Sequence, residues 1–342
     1  MNRRAVIFAA PYTIDVHEEQ VPEPREGQLL VQTLVSAISP GTEMLVYRGQ
    51  MPADIPLDAT ISALDGAFAY PLKYGYAAVG RVIACGHGVD AGWQNRLVFA
   101  FHPHESHFLA APQDVLPVPD GVTPETAVFL PNMETAVSFV MDGRPVIGEQ
   151  VAVFGQGIVG LLTTALLAQL PLARLVTLDR YPLRRQWSSR LGAHLSLDPA
   201  EPSIQAHLLA ELQQDGVLTG ADLAYELSGH PAALDQAIAA VGFGGRLVIG
   251  SWYGSKPVNV QLGGHFHRSH IQIISSQVSH LAPRWHGRWT TARRLQVAWE
   301  QLAHCHPTDL ITHRFPIAAA AEAYRLIDQR PDQTIQVLFS YT

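Results

Sequence analysis

The chain has 342 residues, more than one hydrophobic core ordinarily serves, so two domains are expected. Its 47% hydrophobic and 15% charged residues are those of a folded globular protein, and a formal net charge of −7 argues against nucleic-acid or anionic-membrane partners. No apolar run approaches the roughly 18 residues of a membrane span, and Met1-Asn2-Arg3-Arg4 leads straight into strand-like Ala5-Val6-Ile7-Phe8 rather than a signal peptide. The two cysteines, Cys85 and Cys305, lie far apart and suggest neither a disulfide framework nor a structural zinc, so a reducing, cytoplasmic compartment is expected.

Up to about residue 120 the pattern is one of short strands, over 4–9, 28–37, 80–85, 96–101 and 106–110, punctuated by Pro and Gly. This predicts a β-rich, partly open barrel. The excursion over 51–71 carries Pro52, Pro56 and Pro71 and reads equally as a lid or as an ordered surface loop. Thr123 and Pro124 mark the start of a helix over 124–140.

Strands and helices then alternate. Apolar strands are expected at 150–154, 175–179, 195–197, 223–227, 246–250 and 271–275, with helices from 159 and around 183–191, 204–214 and 232–241. That alternation implies an α/β fold with a doubly wound, parallel, six-stranded sheet. A helix around 293–302 and a tail ending in a strand over 334–339 follow, without internal repeats or low-complexity segments.

The first strand of this half runs into Gly155-Gln156-Gly157-Ile158-Val159-Gly160, and strong helix formers come next. Gly155 can take the dihedrals of a tight turn, Gly157 lets a pyrophosphate approach the backbone, and Gly160 lets helix and strand pack closely. The helix N-terminus offers N–H groups and a positive dipole end to phosphate. Asp179 ends the second strand 19 residues after Gly160, where a carboxylate accepts hydrogen bonds from an adenosine ribose. A dinucleotide site is therefore expected. Asp179 favours NAD by repelling a 2′-phosphate, while Arg180, Arg184 and Arg185 could neutralise that repulsion and admit NADP. Ser228, Gly250, Trp252 and Tyr253 follow the fourth and fifth strands, at the edge where such ligands bind, and are further cofactor candidates.

This order of parts resembles the medium-chain dehydrogenase/reductase superfamily, the group that contains the zinc alcohol dehydrogenases. The residues carrying the likeness are Gly41-Thr42-Glu43, the run from Tyr74 to Gly80, Glu134-Thr135-Ala136, the glycine turn, and the run from Leu310 to Pro316. The resemblance implies a GroES-like domain over 1–130 and 286–342 and a Rossmann domain over 131–285. Within the superfamily, the segments from Ser36 to Glu43 and from Tyr70 to Tyr76 look like the branch that includes the 2-desacetyl-2-hydroxyethyl bacteriochlorophyllide a dehydrogenases.

Where zinc-dependent members carry a cysteine, a His-Glu pair and a later Cys or Asp, this chain has Ser39 or Pro40, then Tyr76-Ala77, then Pro131-Asn132. None supplies a thiolate or an imidazole, the ligands zinc prefers, and the four-cysteine structural lobe is absent from the sequence. The expectation is a zinc-free enzyme. Tyr76, at the histidine position, is then either a proton donor to a carbonyl oxygen or a buried structural residue. Thr42, expected in a turn, is either a relay hydroxyl or bonds only backbone; Glu43 replaces an acid that supports zinc in the relatives and is open to pairing with a basic residue; and Ser39 and Glu43 are substrate-binding candidates. Asn132 and Glu134 are expected at the domain junction; Glu134 is either a general base or a stabiliser of a helix N-terminus. His102, His104 and His107, and His265, His267 and His270, invite a metal reading but read better as loop or pocket histidines. His265, His267 and Gln277 are retained as substrate contacts.

The function expected is hydride transfer between NAD(P) and a secondary alcohol or ketone, a small molecule bound between the domains, without zinc. The alternatives are a zinc-free quinone or enone reductase and a non-catalytic dinucleotide-binding protein. Pairing of the 271–275 edges of two copies predicts a homodimer.

Overall fold

The computed structural model describes residues 2–52, 60–64, 66–214 and 218–341. Residues 53–59 and 65 of the 51–71 excursion lie outside the described residues, and with them the choice between lid and ordered loop. Two compact units are present, one made of residues 1–131 and 302–342, the other of residues 132–301.

In the first unit a seven-stranded sheet runs in the order Ile311–Pro316, Gln336–Ser340, Leu29–Ile38, Ala78–Cys85, Leu97–Ala100 and Val115–Pro117, with His107–Ala110 paired to Leu29–Ile38 off that path. Asn2–Ala10 and Thr13–Gln20 form a separate antiparallel ribbon. The last two strands in sequence pair in parallel, so a crossover must join them. The helix Ala320–Gln329 supplies it, burying Ala320, Ala323, Tyr324 and Ile327 at helical spacing. That helix was legible in the period of its apolar residues, yet the sequence reading stopped at the terminal strand.

The second unit is a parallel sheet in the order Leu195–Leu197, Arg174–Leu178, Gln150–Phe154, Ala221–Glu226, Val241–Ile249 and Gln272–Ser275. The expected α/β class and six strands are present, in the doubly wound order that places a ligand crevice where strand order reverses. Register aligns the strand ends: Phe154 pairs with Leu178 and Glu226, Glu226 with Ile249, and Ile249 with Ser275. Everything that follows those five residues therefore emerges on one edge.

Three local expectations change. The helix expected over 124–140 is two, Pro124–Ala127 and Leu130–Gly143; Thr123 does cap the first, accepting from the Thr126 N–H. Thr42 begins a short helix, Thr42–Tyr47, rather than lying in a plain turn. Residues 286–301 group with the Rossmann unit, whereas the sequence division put them with the first. Arg294, on the helix Thr291–Cys305, accounts for this: its guanidinium is 2% exposed and donates to Glu134 within the same unit.

Candidate functional site

The glycine turn sits between two packed neighbours. Gly155 has φ +93°, and a Cβ there would stand 2.5 Å from the Ser228 Cα; at Gly160 it would stand 2.0 Å from the Gly155 carbonyl oxygen. Both glycines are required by close approach. Gly157 differs, since an added Cβ would meet nothing nearer than Arg184 Nη1 at 4.0 Å. It caps the helix Ile158–Leu167 with no side-chain cap hydrogen bond to the terminal N–H groups, which leaves a cradle at backbone depth.

Asp179 braces the turn from the neighbouring strand. Its Oδ2 accepts from the Gln156 N–H at 2.8 Å and its Oδ1 from the Tyr181 N–H at 2.9 Å, with Arg184 Nη1 at 3.9 Å from Oδ2. Each carboxylate oxygen accepts more than one hydrogen bond, so capacity remains for ribose hydroxyls. Gln156 is fully buried; its side chain donates to the Gly155 carbonyl and accepts from Thr164, so it shapes the turn instead of facing a ligand. Ile158 is buried too and Val159 half-buried, which leaves their N–H groups as what they offer. Arg180 and Arg184 lie over the Tyr181 ring, 5.7 and 4.9 Å from its centroid. The residues present fit a dinucleotide: Gly157 to Val159 would hold the pyrophosphate and Asp179 the adenosine ribose.

On the other flank of the turn is Glu226, which lies within the strand expected over 223–227 and carries no sequence motif that marks it as a site residue. It is fully buried, accepts from the Ser228 N–H at 2.8 Å and from the hydroxyls of Ser228 and Tyr253. Gly250 is a packing glycine, for a Cβ there would come 2.3 Å from Phe139 Cζ. Trp252 is 40% exposed at this edge.

In the first unit, the positions matching the zinc ligands hold a pair of hydroxyls: Tyr76 donates to Ser39 Oγ at 2.5 Å. Glu43 is completely enclosed, so it does not contact substrate as the sequence suggested. Its carboxylate accepts from the Ser39 N–H at 2.9 Å, from His104 Nε2 at 3.0 Å, and from Tyr324. His104 is the basic partner that the sequence left unnamed. Burial and the Glu43 charge push the Tyr324 phenol well above its ordinary value, which keeps it a donor.

Glu134 and Arg294 form a buried pair in the second unit, Oε1 accepting from Nε at 3.1 Å and Nη2 at 2.8 Å. Burial raises the Glu134 carboxyl and Arg294 opposes that rise. The pair explains Glu134 without a role as a free general base. Asn132 is buried at the start of the same helix.

The histidines disperse. His102 stacks on Phe108 at 4.1 Å and burial lowers its pKa; His104 goes to Glu43; His107 Nδ1 lies 3.1 Å from Ser106 Oγ. His265 Nε2 binds the Val241 carbonyl and its Nδ1 faces Ser269, so it secures its own loop. His267 is exposed, and Gln277 closes a local turn onto Ser279. Among the described residues no group of three His, Cys, Asp or Glu is placed to hold a metal ion.

A doubly wound sheet, a glycine turn over a helix N-terminus and an acid at the end of the second strand define a dinucleotide-binding protein of the Rossmann type. A family model described as "Zinc-binding dehydrogenase" matches residues 159–295. D-guloside 3-dehydrogenase of Escherichia coli K12 is 26% identical over 330 residues, which cover 91% of this chain and 92% of that one. An alcohol dehydrogenase of Escherichia coli CFT073, solved with NADH, superposes with a TM-score of 0.79 at 19% identity, covering 99% of both chains. A zinc-binding dehydrogenase of Sinorhizobium meliloti 1021, solved with NADP, does so with a TM-score of 0.77 at 18% identity, again covering 99% of both. Over nearly its whole length the chain is thus similar to dehydrogenases, and residues 159–295 carry the match to the zinc-binding dehydrogenase family model.

Proposed function

We propose that the protein is a zinc-independent NAD(P)-dependent oxidoreductase that interconverts a secondary alcohol and a ketone. The carrying observation is the glycine turn braced by Asp179, and the relatives that act on alcohol groups support the substrate class. When bound, the nicotinamide supplies or accepts the hydride. Backbone N–H groups from Gly157 onward hold its pyrophosphate, and Asp179 orients the adenosine half. Asp179 favours NAD, and the guanidinium of Arg184 beside it softens the discrimination against NADP.

Zinc does not fit the donor set at Ser39, Tyr76 and Ala77, which offers two hydroxyls and a methyl where soft or imidazole ligands are wanted, while the nearest carboxylate, Glu43, is enclosed with three partners. No step is therefore assigned to a metal. Tyr76 donates to Ser39 Oγ, which directs the Ser39 proton to a third oxygen, that of the substrate. Thr42, at the adjoining helix start, and Asn132 are further polar candidates in the reaction.

The purified, chelator-treated chain assayed with NADH and NADPH against ketones, enones and quinones tests the reading. Ketone reduction without bound zinc is the expected result; turnover of conjugated C=C bonds alone would assign a reductase of the quinone or enone class. Turnover of no class despite tight cofactor binding would assign a non-catalytic binding protein.

A homodimer belongs to the same proposal. Gln272–Ser275 is an edge strand with Ile273 39% exposed, and pairing with a second copy would cover it. Light scattering that returned a monomer would end that part.

A further inference from the structure

The strands on either side of the one that leads into the dinucleotide turn each end near a carboxylate, Asp179 and Glu226, of which only Asp179 has the usual adenosine-side place and bonds the turn. Glu226 ends the strand on the opposite side of the strand-order reversal, level with Phe154 and Ile249. In a doubly wound sheet that half of the edge receives the second half of a dinucleotide. There Glu226 joins two loops. Through Oε1 it holds the Ser228 N–H at 2.8 Å and the Ser228 hydroxyl; through Oε2 it holds the Tyr253 hydroxyl. Its carbonyl accepts from the Gly250 N–H at 3.0 Å and the Ser251 N–H at 3.2 Å. Around this centre the Gly229 N–H donates to Ser251 Oγ at 2.8 Å and Lys256 Nζ to the Gly229 carbonyl at 2.6 Å. Burial and the Glu226 charge raise the Tyr253 phenol well above its ordinary value, so it stays protonated and donating.

A fully buried carboxylate is costly unless its oxygens are satisfied, and every partner of this one lies in one of the two loops. We propose that Glu226 is a positioning residue for the nicotinamide half of the cofactor: it locks the loop after its own strand to the 251–256 loop and so fixes the wall against which that half rests. Trp252, exposed beside the locked Tyr253, is the surface this lock presents. The inference rests on the dinucleotide reading above and adds to it a division of labour, Asp179 for the adenosine half and Glu226 for the nicotinamide half.

Calorimetric titration of the full chain with NADH and with ADP-ribose, which lacks only the nicotinamide, tests it. Glu226→Ala is expected to lose at least about tenfold more affinity for NADH than for ADP-ribose, the scale of a lost hydrogen-bonding partner of a charged group. Tyr253→Phe, which keeps Glu226 and its hold on Ser228, should show the same bias at smaller size and serves where Glu226→Ala does not fold. Asp179→Ala should weaken both ligands alike. Equal losses for NADH and ADP-ribose in Tyr253→Phe, or no loss in either variant, would overturn the assignment. A wild-type chain that binds neither ligand would instead remove the dinucleotide reading itself.

Discussion

His104 Nε2 lies 3.0 Å from Glu43 Oε2, and both side chains are wholly enclosed. Ser36 Oγ stands 2.7 Å from His104 Nδ1, so a serine, a histidine and a carboxylate are linked in sequence. With the carboxylate as acceptor the imidazole donates from Nε2, and Ser36 Oγ also stands 2.6 Å from the Tyr341 hydroxyl. Ser36 is itself fully buried, which denies it an ester or amide to attack. The constellation serves to tie the helix Thr42–Tyr47 to the C-terminal helix through Tyr324 and to fix the Ser39 backbone. Glu43→Ala leaves an imidazole and a phenol without their acceptor and is expected to cost about 3–5 kcal/mol. Urea unfolding of the single and double variants with His104→Ala checks this; additive losses would mean the two groups are not coupled.

The two outer glycines and the central one should separate stability from binding. Gly155→Ala forces a Cβ to within 2.5 Å of Ser228 Cα at φ +93°, so the fold itself should suffer. Gly157→Ala meets nothing nearer than 4.0 Å and should leave the melting temperature nearly unchanged while NADH affinity is lost. Thermal melts beside cofactor titrations read both quantities, and a stable Gly157→Ala that still binds NADH normally would remove the pyrophosphate from that cradle.

Asp179→Ala deletes the acceptor of the Gln156 and Tyr181 N–H groups as well as the ribose partner. A loss of about 1.5–3 kcal/mol in NADH binding is expected, the scale for a hydrogen bond to a charged group. NADPH should lose less, because the repulsion of its 2′-phosphate goes too. Unchanged NADH affinity would show the assignment to be wrong.

Tyr76→Phe removes the hydroxyl that donates to Ser39 Oγ. The expected result is a fall in kcat of about 100-fold or more with little change in cofactor affinity, the usual scale for a proton-transfer group. Chelator treatment of the wild type should leave kcat unchanged, and stoichiometric zinc in protein prepared without chelator would contradict the zinc-independent reading.

Glu149 should contribute to acid sensitivity. Burial alone would raise its carboxyl, but Arg246, paired at 2.8 Å to each oxygen, and the Val146 N–H hold it below the ordinary value. A lowered folded-state pKa gives stability that is present above the unfolded value and is lost as pH falls through the folded one. Melting temperatures measured from neutral pH to pH 3 should therefore fall less steeply in Glu149→Gln than in the wild type, from a lower starting point. Parallel curves would place the acid-labile groups elsewhere.

The local repeats of this chain were enough to read its class. Six apolar runs separated by helical stretches, with Gly155-x-Gly157-x-x-Gly160 after the first and Asp179 after the second, announce a parallel sheet and its ligand edge because period and turn chemistry are properties of neighbouring residues. The thiolate-free, imidazole-free ligand positions were equally legible, being a matter of which residues stand where. What only the tertiary structure decided are the partners of buried charges: His104 and Tyr324 for Glu43, Arg294 for Glu134, Tyr253 for Glu226. Each partner stands far along the chain from its carboxylate, and no periodicity or spacing encodes which distant donor a carboxylate will meet. The cost of burying an unpaired charge demands that some partner exist, and packing alone selects it.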